Sequence, residues 1–204
     1  MLFPSFPKFS STLLAALLIG APGAQAQSTV PMTLSSPDLA SGQFSLPLVA
    51  NGFGCTGQNV SPALSWQNVP AGTQSLALLM HDPDAPTGSG FWPWVVPNLP
   101  ANTTGLPRGA GTGAGQLPAG SVAGNTDFMN TGVTGPGGYG GPCPPVGHGP
   151  HRYNFTLYAL AVPDVFAAAG IPRNGTATLA GFALNHGLGK AVLAKASVTA
   201  TYQR

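Results

Sequence analysis

The sequence predicts a mainly β domain of short antiparallel strands with one or two short helices near its C-terminus. Ser75–His81 is apolar almost throughout, as a buried strand is, and in Arg152–Val162 the residues Tyr153, Phe155, Leu157 and Ala159 alternate with Asn154, Thr156 and Tyr158. The 29 Gly and 22 Pro punctuate the chain too densely for a helical bundle and put turns between short strands. Helical spacing is confined to the segment after Val162.

Taken in order, residues 1–26 read as a secretory signal peptide: Lys8 supplies the positive region, Leu13–Leu18 the short apolar run, and Ala24-Gln25-Ala26 the small-x-small cleavage site. That run is too short to span a bilayer, and no later segment is transmembrane in character. The expectation is an exported chain, periplasmic or secreted, with one domain over residues 27–204. Gln27–Gln43 is a polar leading segment. Phe44, Leu46 and Leu48 alternate with Ser45 and Pro47, which predicts an edge strand over Phe44–Val49. Asn51–Pro62 is a loop holding Cys55, Ala63–Trp66 a short strand, and Pro70-Ala71-Gly72 the turn into Ser75–His81. Asp82-Pro83-Asp84-Ala85-Pro86 stops that strand, and Phe91–Val96 begins the next.

Asn98–Gly149 is the irregular half, with a short strand or turn expected within Leu117–Asp127. Its Gly-rich runs at 109–115 and 135–141 precede no helical pattern, so loop outweighs a phosphate-cradling reading. Pro163 and Asp164 start a short helix that Gly170 ends. Thr176–His186 carries Leu179, Phe182, Ala183 and His186 at i, i+3, i+4 and i+7, an amphipathic helix stopped by Gly187. Lys195–Tyr202 alternates as a terminal strand.

Charge is scarce, seven Lys and Arg against five Asp, and the basic residues are scattered, which argues against a nucleic-acid surface or a polybasic membrane patch. Cys55 and Cys143 form an even pair in an exported chain and are expected to bridge. Two of the five acidic residues, Asp82 and Asp84, stand together on a proline-stiffened turn, where they either do chemistry or cap the turn. His151 and Tyr153 are two apart at a strand mouth and point the same way, so with loop N–H groups they can meet an anion, or serve as structural side chains. His81 is a possible partner of Asp82, and Arg152 a bidentate brace for the acidic turn. Cys143, His148 and His151 fit no standard zinc spacing, and no metal or cofactor is called for. Trp66, Trp92 and Trp94 suit core or pocket wall. A hydrolase could recruit Ser61 or Ser89, but no G-x-S-x-G elbow is present.

NVSPALSW at 59–66, DPDAP at 82–86 before an aromatic strand, and GPCPP-x5-HRY-x-F-x-LYAL at 141–160 resemble the phosphatidylethanolamine-binding protein family, in its bacterial Raf-kinase-inhibitor-like branch. The resemblance runs from about Phe44 to the terminal strand. It implies a large antiparallel sheet packed with a smaller one, and a small pocket at one end for anionic groups such as phosphate heads. Carried over, Asp82 and His151 form the polar base, Tyr153, Pro144, Pro145 and Ala85 the lining, the backbone near Cys143 an N–H donor, and Asp84 orders the loop. Pro93 stands where the family usually has histidine, which removes an imidazole and a backbone donor. The function expected is non-enzymatic binding of a small anionic ligand. A protein-level inhibitor of a kinase or protease, as the family name implies, is the second reading and a hydrolase the third.

Overall fold

The computed structural model describes residues 30–112, 116–134 and 138–204. The signal peptide assigned to residues 1–26 lies outside them, as do parts of both Gly-rich runs. Among the described residues the strands are β1 (Thr33–Ser35), β2 (Asn51–Gly52), β3 (Cys55–Thr56), β4 (Leu64–Gln67), β5 (Ser75–Asp82), β6 (Phe91–Pro100), β7 (Gly105–Leu106), β8 (His151–Leu160) and β9 (Val192–Tyr202). A four-stranded sheet in the order β6-β5-β8-β9 packs against a three-stranded sheet, β1-β4-β7, and β2 and β3 make a two-stranded ribbon. All these pairings are antiparallel.

β5 is continuously apolar because both its faces are covered. Leu76, Leu78 and Met80 enter the core between the sheets, with Leu34, Leu64, Trp66, Leu106, Phe155 and Leu157. Ala77 and Leu79 face the other way, with Tyr158 and Leu160, under α1 (Val165–Ala169) and α2 (Ala177–Phe182). The Asp164 carboxylate caps α1 by accepting from the Ala167 N–H, and Thr176 caps α2 through the Leu179 N–H.

β6 is an edge strand, which is how it accommodates Pro93 and Pro97. Its register against β5 slips between Met80 and Asp82, and the bulge falls beside Pro93, which has no N–H to contribute. The outer edge is sealed by the irregular half: Val122, Gly124, Asp127 and Gly140 donate backbone N–H groups to Asn98, Val95, Trp92 and Pro93.

Three expectations change. Phe44–Val49 is not a strand: Leu46–Leu48 forms a 3-10 turn in which Pro47 fixes φ and offers no ladder donor, and beside it only Gln43 bridges β9, at Thr201. The helical face also differs, since Phe182 and His186 are exposed and pack on each other, while Ala177, Ala180, Gly181, Ala183 and Leu184 meet the sheet. Small residues win because the helix lies close: a Cβ on Gly181 would sit 2.9 Å from the Trp92 ring. Third, the polar leading segment contains β1, whose single inward residue Leu34 is too little for a periodic signal.

Cys55 and Cys143 are joined by a disulfide across a sequence separation of 88 residues. Closing so long a loop removes unfolded-chain entropy. Replacing both cysteines by serine is expected to lower the unfolding free energy by about 4 kcal/mol, read as a lower urea midpoint with an unchanged native circular dichroism spectrum.

Candidate functional site

The register of β5 on β8 assembles the site. His81 pairs with Asn154, so one step further Asp82 arrives beside Tyr153, on the face that looks into the inter-sheet core. Asp82 and His151, 69 residues apart in sequence, meet with Oδ2 2.8 Å from the imidazole Nδ1. Both are buried, Asp82 at 4% and His151 at 1% exposure. The other Asp82 oxygen, Oδ1, accepts from the Asp84 N–H at 2.9 Å. Burial, then the Asp82 charge, pushes the Tyr153 phenol far above its usual range, so it stays a neutral donor.

Asp84 faces outward and holds the turn. It accepts from the Arg152 Nε and backbone N–H at 2.9 and 2.8 Å through one oxygen, and from Nη2 at 2.7 Å through the other. The side-chain hydrogen bonds from Arg152 draw its carboxyl well below the ordinary carboxylate range.

The opposite wall, residues 139–145, has no regular structure and is held by Asn59. Its amide donates to the carbonyls of Val133 and Tyr139 at 2.8 and 3.1 Å, and its oxygen accepts from the Gly141 N–H at 2.7 Å. Position 141 requires glycine, because a Cβ there would lie 2.3 Å from the Leu48 carbonyl oxygen. The disulfide ties the same wall to the ribbon that carries Phe53.

Between these walls lies a cleft of about 530 Å³. Asp82, Ala85, Pro93, Cys143, Pro144, Pro145, His151 and Tyr153, the ligand-facing set named from sequence, all line it. Sequence reasoning missed Phe53, Phe91, Phe128, Asp127 and Arg204, which line it too. Arg204 donates from Nε to the Pro144 carbonyl, and its terminal nitrogens have no partner among the described residues. Phe128 and Asp127 sit in the irregular half, where no periodicity announces them.

Other candidates lie elsewhere or are engaged. His81 does not pair with Asp82: it points to the opposite face of β5, stacks on Trp92 with centroids 3.9 Å apart, and contacts the Ser89 carbonyl. His148 sits outside the cleft lining with Nδ1 2.8 Å from Nε2 of His151, so both ring nitrogens of His151 are occupied. Ser61 is buried and its hydroxyl accepts from the Gly111 N–H. Trp66 and Trp94 are core residues. Among the described residues no His, Cys, Asp or Glu group is arranged to hold a metal ion.

Residues 35–203 match the family described as phosphatidylethanolamine-binding protein. The chain belongs to that family. Within it, the chain is 40% identical over 195 residues to the UPF0098 protein YbcL of Escherichia coli K12, covering 95% of this chain and 96% of YbcL. It is 43% identical over 174 residues to YbhB of the same organism, covering 84% and 99%. The crystal structure of E. coli YbcL, described as a new member of the mammalian PEBP family, superposes with a TM-score of 0.72 over 86% of this chain and 99% of that one. LppC of Mycobacterium tuberculosis, named a lipoprotein, is 44% identical over 65% of this chain and covers 57% of its own length. The phosphatidylethanolamine-binding protein fold is therefore shared along nearly the whole domain, with Pro93 written into its β6 bulge.

Two outcomes follow from the polar floor. Asp82→Ala strands the buried His151 Nδ1 and the Asp84 N–H and is expected to cost roughly 3 kcal/mol of stability, measured by chemical denaturation. The folded value of Asp84 lies below its unfolded value, so its contribution is complete above about pH 4 and is lost as pH falls through the lowered folded value. The stability gap between wild type and Asp84→Asn should close on acidification, and shrink in high salt because the pair is exposed.

Proposed function

We propose that this chain is an exported, non-enzymatic binding protein whose cleft takes a small anionic group: a phosphate, a phospholipid head or a carboxylate. One observation carries the reading. A preformed cleft of ligand size places the His151 imidazole and the unpaired end of the Arg204 guanidinium along one lining. The Arg204 fork supplies charge-assisted donors where the family's usual histidine is replaced by Pro93. Asp82 fixes the orientation of His151 through Nδ1, so it is Nε2 that addresses the ligand. That nitrogen is held by His148, an exposed residue between Gly147 and Gly149, and an anion that takes its place meets an N–H there in the doubly protonated ring, whose other N–H goes to Asp82.

The absence of turnover chemistry is supported by the lining itself. Ser61 is committed to a buried backbone contact, Ser89 is not in the lining, and the Thr87 hydroxyl that is there donates to the Gly90 carbonyl. Export is supported by the character of residues 1–26 and by a relative that is named a lipoprotein. A second reading, a protein-level modulator of a kinase or protease, draws on Phe53 and Val146, left 60% and 77% exposed in the walls beside the cleft. Recovery of a stoichiometric protein partner from the native exported fraction would favour it over a small ligand.

Isothermal titration with phosphoethanolamine, phosphate and acetate tests the main reading, and silence from all three with a native fold overturns it. Where heat is seen, His151→Ala is expected to weaken binding by roughly 1.5 to 3 kcal/mol, whereas His148→Ala leaves affinity equal or tighter.

A further inference from the structure

We infer that the ligand is an amphipathic monoanion, a carboxylate borne on an aromatic or compact apolar body, in preference to a phosphate dianion. The inference rests on the anion-binding reading of the cleft and names the class of anion that fits it.

The walls come first. Phe91 and Phe128 meet edge to face with centroids 4.7 Å apart, and Phe53 leans on Phe128 at 5.8 Å. Phe128 is clamped, since the space beside Gly140 is so tight that a Cβ would lie 2.3 Å from its ring. Pro93 and Pro144 complete the apolar lining. Rings fixed at such angles leave faces and edges for one further ring to pack against.

Phe53 adds a second, independent sign. Its φ is +51°, a left-handed conformation that a bulky side chain adopts only at a cost, and its neighbours Gly52 and Gly54 show that glycine is freely used in this ribbon. The strained residue is nonetheless an aromatic left 60% exposed in the cleft lining. Strain spent on holding an exposed ring in place is accounted for by a ligand that covers it.

The polar inventory selects the head group. Asp82 is engaged by the Asp84 N–H through Oδ1 and by His151 through Oδ2, which fixes its carboxylate in the floor of the cleft. The cationic donor left over is the end of the Arg204 fork, joined, once His148 moves aside, by the second N–H of His151 in the doubly protonated ring. The planar end of that fork offers parallel N–H groups to the two oxygens of a carboxylate, and among the described residues it is the one guanidinium in the lining. Charge points the same way, because Asp127 also lines the cleft, and desolvation already raises its pKa, so a second negative charge nearby is resisted.

The test is titration of the disulfide-intact protein, at constant ionic strength, with phenylacetate, acetate, inorganic phosphate and benzylamine. Phenylacetate is expected to bind about tenfold or more tighter than acetate, with phosphate no tighter than acetate and benzylamine silent. Phe53→Ala removes an exposed side chain and should erase the advantage of phenylacetate over acetate, and Arg204→Gln should weaken both. Phosphate binding tighter than phenylacetate, equal affinity for acetate and phenylacetate, or uptake of benzylamine in place of phenylacetate would overturn the assignment while sparing an ionic site. No heat from any of the four would remove the anion-binding reading along with it.

Discussion

The pairing register between β5 and β8 is the constraint on which the site depends. A slip of one residue would turn Asp82 out of the inter-sheet core and bring His81 into it, because side chains alternate strictly between faces. What forbids the slip is the apolar pattern: Leu76, Leu78 and Met80 on one strand, and Phe155, Leu157 and Ala159 on the other, must all enter the same core. The hydrophobic effect acting over the length of two strands thus positions a carboxylate and an imidazole at their shared end. No special interaction at the site is needed to bring them together, and their hydrogen bond then fixes the ring orientation.

The other wall is built by a different physics. Beyond β7 the irregular half buries Tyr139 and Phe128 with no further strand among its described residues, so its backbone groups are satisfied one by one. Asn59 supplies three of these bonds, Tyr139 reaches the Leu48 carbonyl with its hydroxyl, and the exposed edge of β6 accepts several more. The loop in this way repairs two problems at once, its own unpaired amides and an unpaired sheet edge interrupted by two prolines.

Strands with strong period were legible in the sequence, and so was the cleft set they present. β5 and β8 are near their expected bounds, as are α1 and β9, because each combines a clean apolar pattern with a stop signal. DPDAP and GPCPP are distinctive enough to be seen without knowing what they face. The aromatic wall was not legible: Phe53, Phe91 and Phe128 are far apart in sequence, and their convergence is a property of loop paths, to which periodicity gives no access. Arg204 is a lone basic residue after the last strand, with nothing local to mark it. The misplaced face of α2 has a plainer cause. Hydrophobic spacing ranks Phe above Ala, whereas a helix drawn close to a sheet can bury only what fits, and the small residues won.

The bond between Cys55 and Cys143 runs from the ribbon behind Phe53 to the strip that bears Pro144 and Pro145. Those two flanks of the mouth are consequently one covalent frame and cannot part from each other. The small turn that carries His148 lies outside that frame, while the Asp82–Pro86 turn is held separately by its prolines and by Arg152. On the proposed reading a ligand would pass the margin the bridge leaves free, where the turn bearing His148 lies.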